Sequence, residues 1–130
     1  MNTVLIILAI VIVFIVVSKF NNRGIAQVNV NQAISLIKDS TVTILDVRTP
    51  QEYGQGHLQG ARLIPEQELG ERIRELASLK DRQILVYCHS GNRSSAASRM
   101  LMKNGFKKVS NLQGGITAWN NAGNKTIKGN

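Results

Sequence analysis

The sequence predicts an α/β domain with a mostly parallel central sheet flanked by helices, preceded by one apolar helix. Three observations support this fold class. Short segments typical of buried strands lie at 42–47 and 84–87, and a last short strand is predicted at 109–112. Stretches of about a dozen residues with helical spacing separate them, which favours parallel strands joined by helical crossovers. A continuous apolar run, residues 4–17, comes before all of them.

The apolar run predicts a transmembrane anchor over residues 1–20. Thirteen of the fourteen residues 4–17 are Val, Leu, Ile or Phe, and no charged side chain lies between Met1 and Ser18. Such a composition favours helix insertion by about 4–8 kcal/mol. A cleaved signal peptide is the alternative. It usually has a basic start and a small-residue cleavage site, and the chain lacks both, so we expect the anchor to stay uncleaved.

The folded domain is expected to comprise residues 24–130 and to face the cytoplasm. Lys19 and Arg23 follow the apolar run, and the positive-inside tendency places such residues on the cytoplasmic side. The single cysteine agrees with a reducing compartment. We therefore expect a single-pass protein of the cytoplasmic membrane.

The elements of the domain follow from caps and apolar periodicity. Asn29 can cap a helix, and Pro65 suits the first turn of another helix that runs through 68–79. The strand at 42–47 stops before Pro50, and Gly105 follows the helix that comes after the strand at 84–87. A last strand at 109–112 and a short helix at 116–121 complete the domain. The inward positions are Val30, Ala33, Ile34 and Ile37, then Leu69, Ile73, Leu76 and Leu79, then Ala97, Met100 and Leu101.

Composition limits the functional classes. The net charge is +8, but the basic residues are scattered, the longest basic run is Lys107-Lys108, and aromatics are few, so we do not expect nucleic-acid binding. A small anionic substrate or an anionic membrane surface explains the charge equally well. One cysteine and two histidines without metal-ligand spacing predict neither a metal site nor a cofactor.

Cys88 is the candidate nucleophile. It ends a buried strand and begins the loop CHSGNRS, after which a helix starts. Backbone N–H groups of such a loop and the helix N-terminus point towards one place, and Arg93 adds a positive charge, so the thiolate form of Cys88 is favoured. The alternative is a space-filling buried cysteine. The polar composition of the loop argues against it, because Ser90, Asn92 and Ser94 are poor core residues.

These motifs resemble the rhodanese family of sulfurtransferases. The loop CHSGNRS is similar to the family's active loop, and three further stretches match in order: LDVRTPQEYGQGHLQGARLIP at 45–65, GFKKVSNLQGG at 105–115, and Ala118-Trp119 followed by Gly123. Together they cover nearly all of residues 26–123. Single-domain, membrane-anchored bacterial rhodaneses are the most similar type, which implies the bacterial inner membrane as the location.

The resemblance implies a persulfide cycle. Cys88 would take the sulfane sulfur of a small donor such as thiosulfate and pass it to a thiol, to cyanide or to an acceptor protein. The loop amides would hold the bound sulfur and Arg93 would orient the leaving oxyanion, while the loop rim would select the substrate. Asp46 and Arg48 are supporting candidates, although a structural ion pair is the more common role of such residues. The substrate-binding set is His89, Ser90, Gly91, Asn92, Arg93 and Ser94.

Other features favour structural roles. His57 is interpreted as a turn or packing histidine, Trp119 as a core residue, and Gly114-Gly115 as a tight turn before a helix. The charged residues of 66–75 are typical of a solvated helix face.

Competing functions remain open. Cysteine phosphatases also place a thiolate and an arginine in an amide loop, but their loop has five residues between Cys and Arg, and this chain has four. A non-catalytic, membrane-tethered binding module is a second alternative, and an accessory protein that delivers sulfur or selenium is a third. Retention of Cys88 argues against the non-catalytic module.

Overall fold

A computed structural model describes residues 2–21 and 25–129, without the side chains of residues 18–21. Arg23, used above for orientation, and Gly24, the expected first residue of the domain, lie outside the described residues. The strands are β1 (Ile25–Val28), β2 (Thr43–Asp46), β3 (Arg62–Leu63), β4 (Gln83–Tyr87) and β5 (Lys108–Leu112). The helices are α1 (Thr3–Asn21), α2 (Val30–Ile37), α3 (Pro50–Gln55), α4 (Glu66–Arg72), a 3₁₀-helix (Ile73–Leu79), α5 (Asn92–Lys103) and α6 (Gly115–Asn121).

The five strands form one sheet in the order β1-β5-β4-β2-β3, and every neighbouring pair is parallel. This confirms the predicted α/β class. Because the strands are parallel, their carboxyl ends share one edge, and β4 lies at the centre of that edge. Ligands of such sheets bind beyond this edge.

Helices cover both faces of the sheet, and successive residues of β4 alternate between two cores. Ile84 and Val86 join the core under α4 and α5, whereas Leu85 and Tyr87 join the core under α2 and α6. Cys88 belongs to the same core as Ile84 and Val86. Each core buries about a dozen apolar side chains, so the strand before the loop is fixed from both sides.

Several predicted helix ends and core positions are confirmed. Asn29 caps α2 in a capping box with Gln32. Trp119 is buried, and His57 is also buried, stacked on Tyr53 at 3.6 Å between ring centroids. The helix predicted over 68–79 divides into α4 and the 3₁₀-helix.

Residues 3–21 form α1, and the large apolar side chains from Val4 to Val17 are 44–70% exposed. Within residues 2–21 and 25–129, no helix has both the length and the apolar character required to cross a membrane. The expected transmembrane helix is therefore not confirmed.

Candidate active site

Cys88 lies at the carboxyl edge of the sheet, directly after the last residue of the central strand β4. The side chain is 1% exposed and packs within the core under α4 and α5. Helix α5 begins four residues later, at Asn92. The strand fixes the position of the thiol, and the helix N-terminus adds a partial positive charge beside it.

Two groups contact the sulfur directly. The Gly91 N–H donates to Cys88 Sγ at 3.1 Å, and Ser94 Oγ lies 3.2 Å from the same atom. The Ser94 hydroxyl also donates to the Gly91 carbonyl oxygen at 3.1 Å, so its single hydrogen would have to rotate towards Cys88 Sγ to donate to a thiolate. Gly91 reaches its position with φ +109°, a left-handed conformation that favours glycine. The loop thus provides one fixed donor to a negatively charged sulfur, the Gly91 N–H, and a neighbouring hydroxyl that can rotate to become a second.

Helix α6 supports the active loop from behind. The N–H groups of Ile116 and Thr117 donate to the carbonyl oxygens of Cys88 and His89, at 2.9 and 3.2 Å. Gly115 has φ +59°, and a Cβ at this position would overlap the Cys88 carbonyl oxygen. The glycine pair at 114–115, interpreted from the sequence as a tight turn, therefore permits close approach of α6 to the active loop.

Arg93 binds a partner that sequence reasoning missed. Its Nη1 and Nη2 donate to Oε1 and Oε2 of Glu52 at 2.8 and 2.9 Å, a bidentate pair between α5 and α3. The hydrogen bond from Arg93 lowers the pKa of Glu52 to about 2, against the opposing effect of partial burial. The spacing of Thr49 and Glu52 is a capping-box signature that could have revealed α3, and the box is present.

Asp46 and Arg48 form a buried pair at the end of β2. Arg48 Nη2 donates to Asp46 Oδ2 at 2.7 Å and to the Gly56 carbonyl at 2.7 Å. The Tyr87 hydroxyl also donates to Asp46 Oδ2, at 2.7 Å, and accepts from the Leu58 N–H at 3.1 Å. This arrangement is a strand-end network that holds β2, β4 and the segment after α3 together, as expected for a structural pair.

The remaining predicted residues of the loop, His89, Ser90 and Asn92, are exposed on its rim. His89 also lines a cavity of about 310 Å³ beside the loop. A second cavity, about 50 Å³, reaches Arg93. The first cavity is lined by Arg48, Glu52, Gln55, Gly56, His89, Ile116, Asn120 and Thr126.

A larger groove, about 590 Å³, lies at the opposite edge of the sheet, where β2, β4 and β5 begin. Its lining includes Asp39, Thr41, Gln83 and Lys108, with no cysteine or histidine among the residues that form it. Volume therefore does not locate the nucleophile, and the carboxyl edge remains the candidate site.

Comparison with known proteins decides the family. A model of the rhodanese-like domain matches residues 29–122, which include the whole active loop. The chain belongs to the rhodanese-like domain family. A sulfurtransferase of Allochromatium vinosum is 42% identical over 78 residues, which cover 60% of this chain and 71% of that protein. A thiosulfate sulfurtransferase GlpE of Pseudomonas putida is 36% identical over 88 residues, which cover 68% of this chain and 78% of that protein.

The rhodanese-like fold is also found in solved structures. A rhodanese-related protein from Thermoplasma volcanium superposes with a TM-score of 0.71 at 32% identity, covering 78% of this chain and 97% of that one. The predicted family is therefore confirmed, and the sheet that carries Cys88 is the rhodanese-like sheet.

Proposed function

We propose that this rhodanese-like domain is a sulfurtransferase in which Cys88 carries a sulfane sulfur as a persulfide. The observation that supports it most strongly is the hydrogen bond from the Gly91 N–H to Cys88 Sγ at 3.1 Å, with the Ser94 hydroxyl oxygen 3.2 Å from the same sulfur. A backbone donor fixed by the fold stabilises an anionic sulfur without reorganising. The names of the sulfurtransferase relatives support the same reaction class.

The reaction has two balanced steps. The Cys88 thiolate attacks the outer sulfur of thiosulfate, the bond between the two donor sulfurs breaks, and sulfite leaves with the electron pair. The persulfide anion Cys88–S–S⁻ then gives its outer sulfur to cyanide, which leaves as thiocyanate, and the thiolate returns. A thiol acceptor would instead leave as a persulfide. The chain contains one cysteine, so the acceptor has to come from outside it.

The surrounding residues suit distinct roles in this cycle. Arg93 gives its paired Nη1 and Nη2 donors to Glu52, so a leaving sulfite would bind this guanidinium in competition with that carboxylate. His89 and Asn92 stand exposed on the rim, where a donor or acceptor would contact them. We assign substrate contact to these three residues and positioning of the strand end to Asp46 and Arg48.

Thiocyanate formation from thiosulfate and cyanide tests the proposal. We expect turnover by the full chain in detergent and its loss in Cys88→Ser, which removes the nucleophilic sulfur but keeps a small polar side chain. Arg99→Ala, which removes an exposed cation of α5 away from the loop, is the matched control and should retain turnover. Absence of turnover with thiosulfate and with a hydropersulfide donor would favour the non-catalytic binding module. Release of phosphate from an aryl phosphate would favour the cysteine phosphatase.

We further propose that residues 1–20 attach the domain to the bacterial inner membrane, with the domain in the cytoplasm. The apolar composition of residues 4–17 and the exposure of their side chains along α1 support attachment, because exposed apolar surface of this extent favours a lipid environment. Sedimentation of the full chain with membranes, and its release on deletion of residues 2–20, would support attachment.

Carbonate extraction and protease treatment sharpen this second proposal. Resistance to carbonate together with protection of the domain inside sealed right-side-out vesicles is the expected result. Recovery of the full chain in the soluble fraction would contradict attachment, and digestion of the domain by external protease would contradict the cytoplasmic orientation.

A further inference from the structure

The guanidinium of Arg93 is already occupied by a carboxylate of the protein itself. Both oxygens of Glu52 accept from it, at 2.8 and 2.9 Å, in a bidentate arrangement. A sulfonate or sulfate-like group would bind an arginine through the same paired N–H groups. An anionic donor that approaches the active loop therefore competes with Glu52 for Arg93.

Glu52 is held in place independently of Arg93. Its Oε1 accepts from the backbone N–H and the hydroxyl of Thr49, at 3.2 and 3.1 Å, and its own N–H donates to Thr49 Oγ1 at 3.2 Å. These contacts form the capping box of α3. The carboxylate is thus fixed by the helix that carries it, which makes it a persistent competitor rather than a mobile surface charge.

The charges around the active loop leave little to attract a dianion. The linings of the two cavities beside the loop contain two arginines, Arg48 and Arg93, and two carboxylates, Glu52 and Glu66. Arg48 is moreover bound to Asp46. Both arginines of these linings are therefore paired with a carboxylate. His89 is the other lining residue of a type that can carry a positive charge.

We propose that Glu52 is a specificity-determining residue that disfavours dianionic sulfur donors such as thiosulfate relative to donors with at most one negative charge, such as a small hydropersulfide. This inference rests on the proposed function. With the second donor, the Cys88 thiolate attacks the outer sulfur of R–S–SH, the S–S bond breaks, R–S⁻ leaves with the electron pair, and Cys88–S–SH forms. Such a donor has no second charge that requires Arg93.

The test compares Glu52→Gln with the unaltered full chain, using thiosulfate and 2-hydroxyethyl hydropersulfide as donors and cyanide as acceptor. Glutamine keeps an oxygen for the Thr49 N–H and removes the charge. We expect the KM for thiosulfate to fall about 3- to 10-fold, because the variant loses one partly exposed carboxylate that competes for Arg93. The kcat with either donor and the KM for the hydropersulfide should change less than about twofold. Glu75→Gln, which removes an exposed glutamate that is paired with Arg62 and Arg72 and lines neither cavity beside the loop, should change neither KM.

Two results would overturn the inference. An unchanged or higher thiosulfate KM in Glu52→Gln would show that Glu52 does not compete, and an equal loss of kcat with both donors would show that it positions Arg93 productively. If the variant fails to fold, the two donors are compared with the unaltered chain. We expect its kcat/KM for the hydropersulfide to exceed its kcat/KM for thiosulfate by about tenfold or more. The reverse order would refute the inference. Failure of Cys88 to accept sulfur from either donor would refute the proposed function itself, which separates the two failures.

Discussion

Two carboxylate–arginine pairs stand at the carboxyl edge of the sheet, and they differ in burial. The side chains of Asp46 and Arg48 are 0% and 5% exposed, whereas those of Glu52 and Arg93 are 28% and 35% exposed. The first pair joins residues two apart in the chain, and the second joins residues 41 apart.

The difference separates a structural pair from a functional one. Asp46 also accepts from the Arg48 backbone N–H and the Tyr87 hydroxyl, and these contacts are buried, so they contribute to the fold. Arg93 holds Glu52 at a partly exposed surface beside the active loop, where an anionic substrate would compete for the guanidinium. We therefore expect changes in the first pair to reduce stability and changes in the second to alter catalysis.

The largest expected effect is that of Arg48→Met. This change leaves Asp46 buried without its cation, and breaking a buried pair in this way costs about 3–5 kcal/mol. Urea unfolding followed by circular dichroism measures the loss. Arg62→Met removes an exposed pair with Glu75 and serves as control, with little expected change. Equal midpoints for the two variants would contradict the structural role of the buried pair.

Tyr87→Phe should give the next largest loss of stability. The change removes a donor to Asp46 and leaves the buried Leu58 N–H without its acceptor, at a cost of about 1–3 kcal/mol. Burial, with a smaller effect of Asp46, raises the pKa of Tyr87 above its usual value, so the hydroxyl remains a donor at alkaline pH. Tyr53→Phe, which removes one bond to the Ala61 carbonyl, is the control and should cost less in the same unfolding assay. A larger loss in the control would contradict this ranking.

Arg93→Lys should lower kcat/KM for thiosulfate about 10- to 100-fold, because an ammonium cannot replace the bidentate fork. Stability should change little, since the pair is partly exposed. Thiocyanate assays and thermal melts of the same preparations measure both quantities, with Arg99→Lys as control. A variant that loses stability but retains its activity would place Arg93 with the structural pair.

The smallest expected effect is the acid dependence of the Glu52–Arg93 pair. The pKa of Glu52 is lowered to about 2, so its stabilising contribution is complete above the ordinary value near 4.5 and is lost as the pH falls through about 2. Solvent screening limits the contribution to below about 1 kcal/mol. The free energy of unfolding of the unaltered chain should exceed that of Glu52→Gln at pH 6, and the difference should shrink by pH 2.5. A difference in the free energy of unfolding that stays constant between about pH 6 and pH 2.5 would contradict a stabilising role of the Glu52–Arg93 pair.

Much of the fold could be predicted because the central strands and their helices have clear apolar periodicity. The segments 42–47 and 84–87, which contain β2 and most of β4, are mostly apolar, 109–112 in β5 begins and ends with an apolar residue, and Asn29 marks the start of α2. Strands β1 and β3 are edge strands: β1 buries only one of its four residues and β3 has only two residues, so neither shows a periodic apolar pattern. Helix α3 was not predicted, because Gly54 within it and Gly56 directly after it made the polar segment after Pro50 resemble a turn, and the capping box of Thr49 and Glu52 was overlooked.

The candidate site was predictable where it is contiguous in sequence and not where it depends on distant contacts. The loop from Cys88 to Ser94 carries its own signature of polar residues, a glycine and an arginine. The partner Glu52 and the support by Gly115 come from elements brought to the loop by the fold. A single sequence does not show which carboxylate an arginine will meet, because the pairing is set by the order of strands in the sheet.

The most direct test of the central claim is the intact mass of the full chain after incubation with thiosulfate or a hydropersulfide, followed by peptide mapping. We predict a gain of about 32 Da, one sulfur, on the peptide that contains Cys88, absent in Cys88→Ser and removed by cyanide as thiocyanate. An unmodified Cys88 after exposure to both donors, in a chain shown to be folded, would contradict the account.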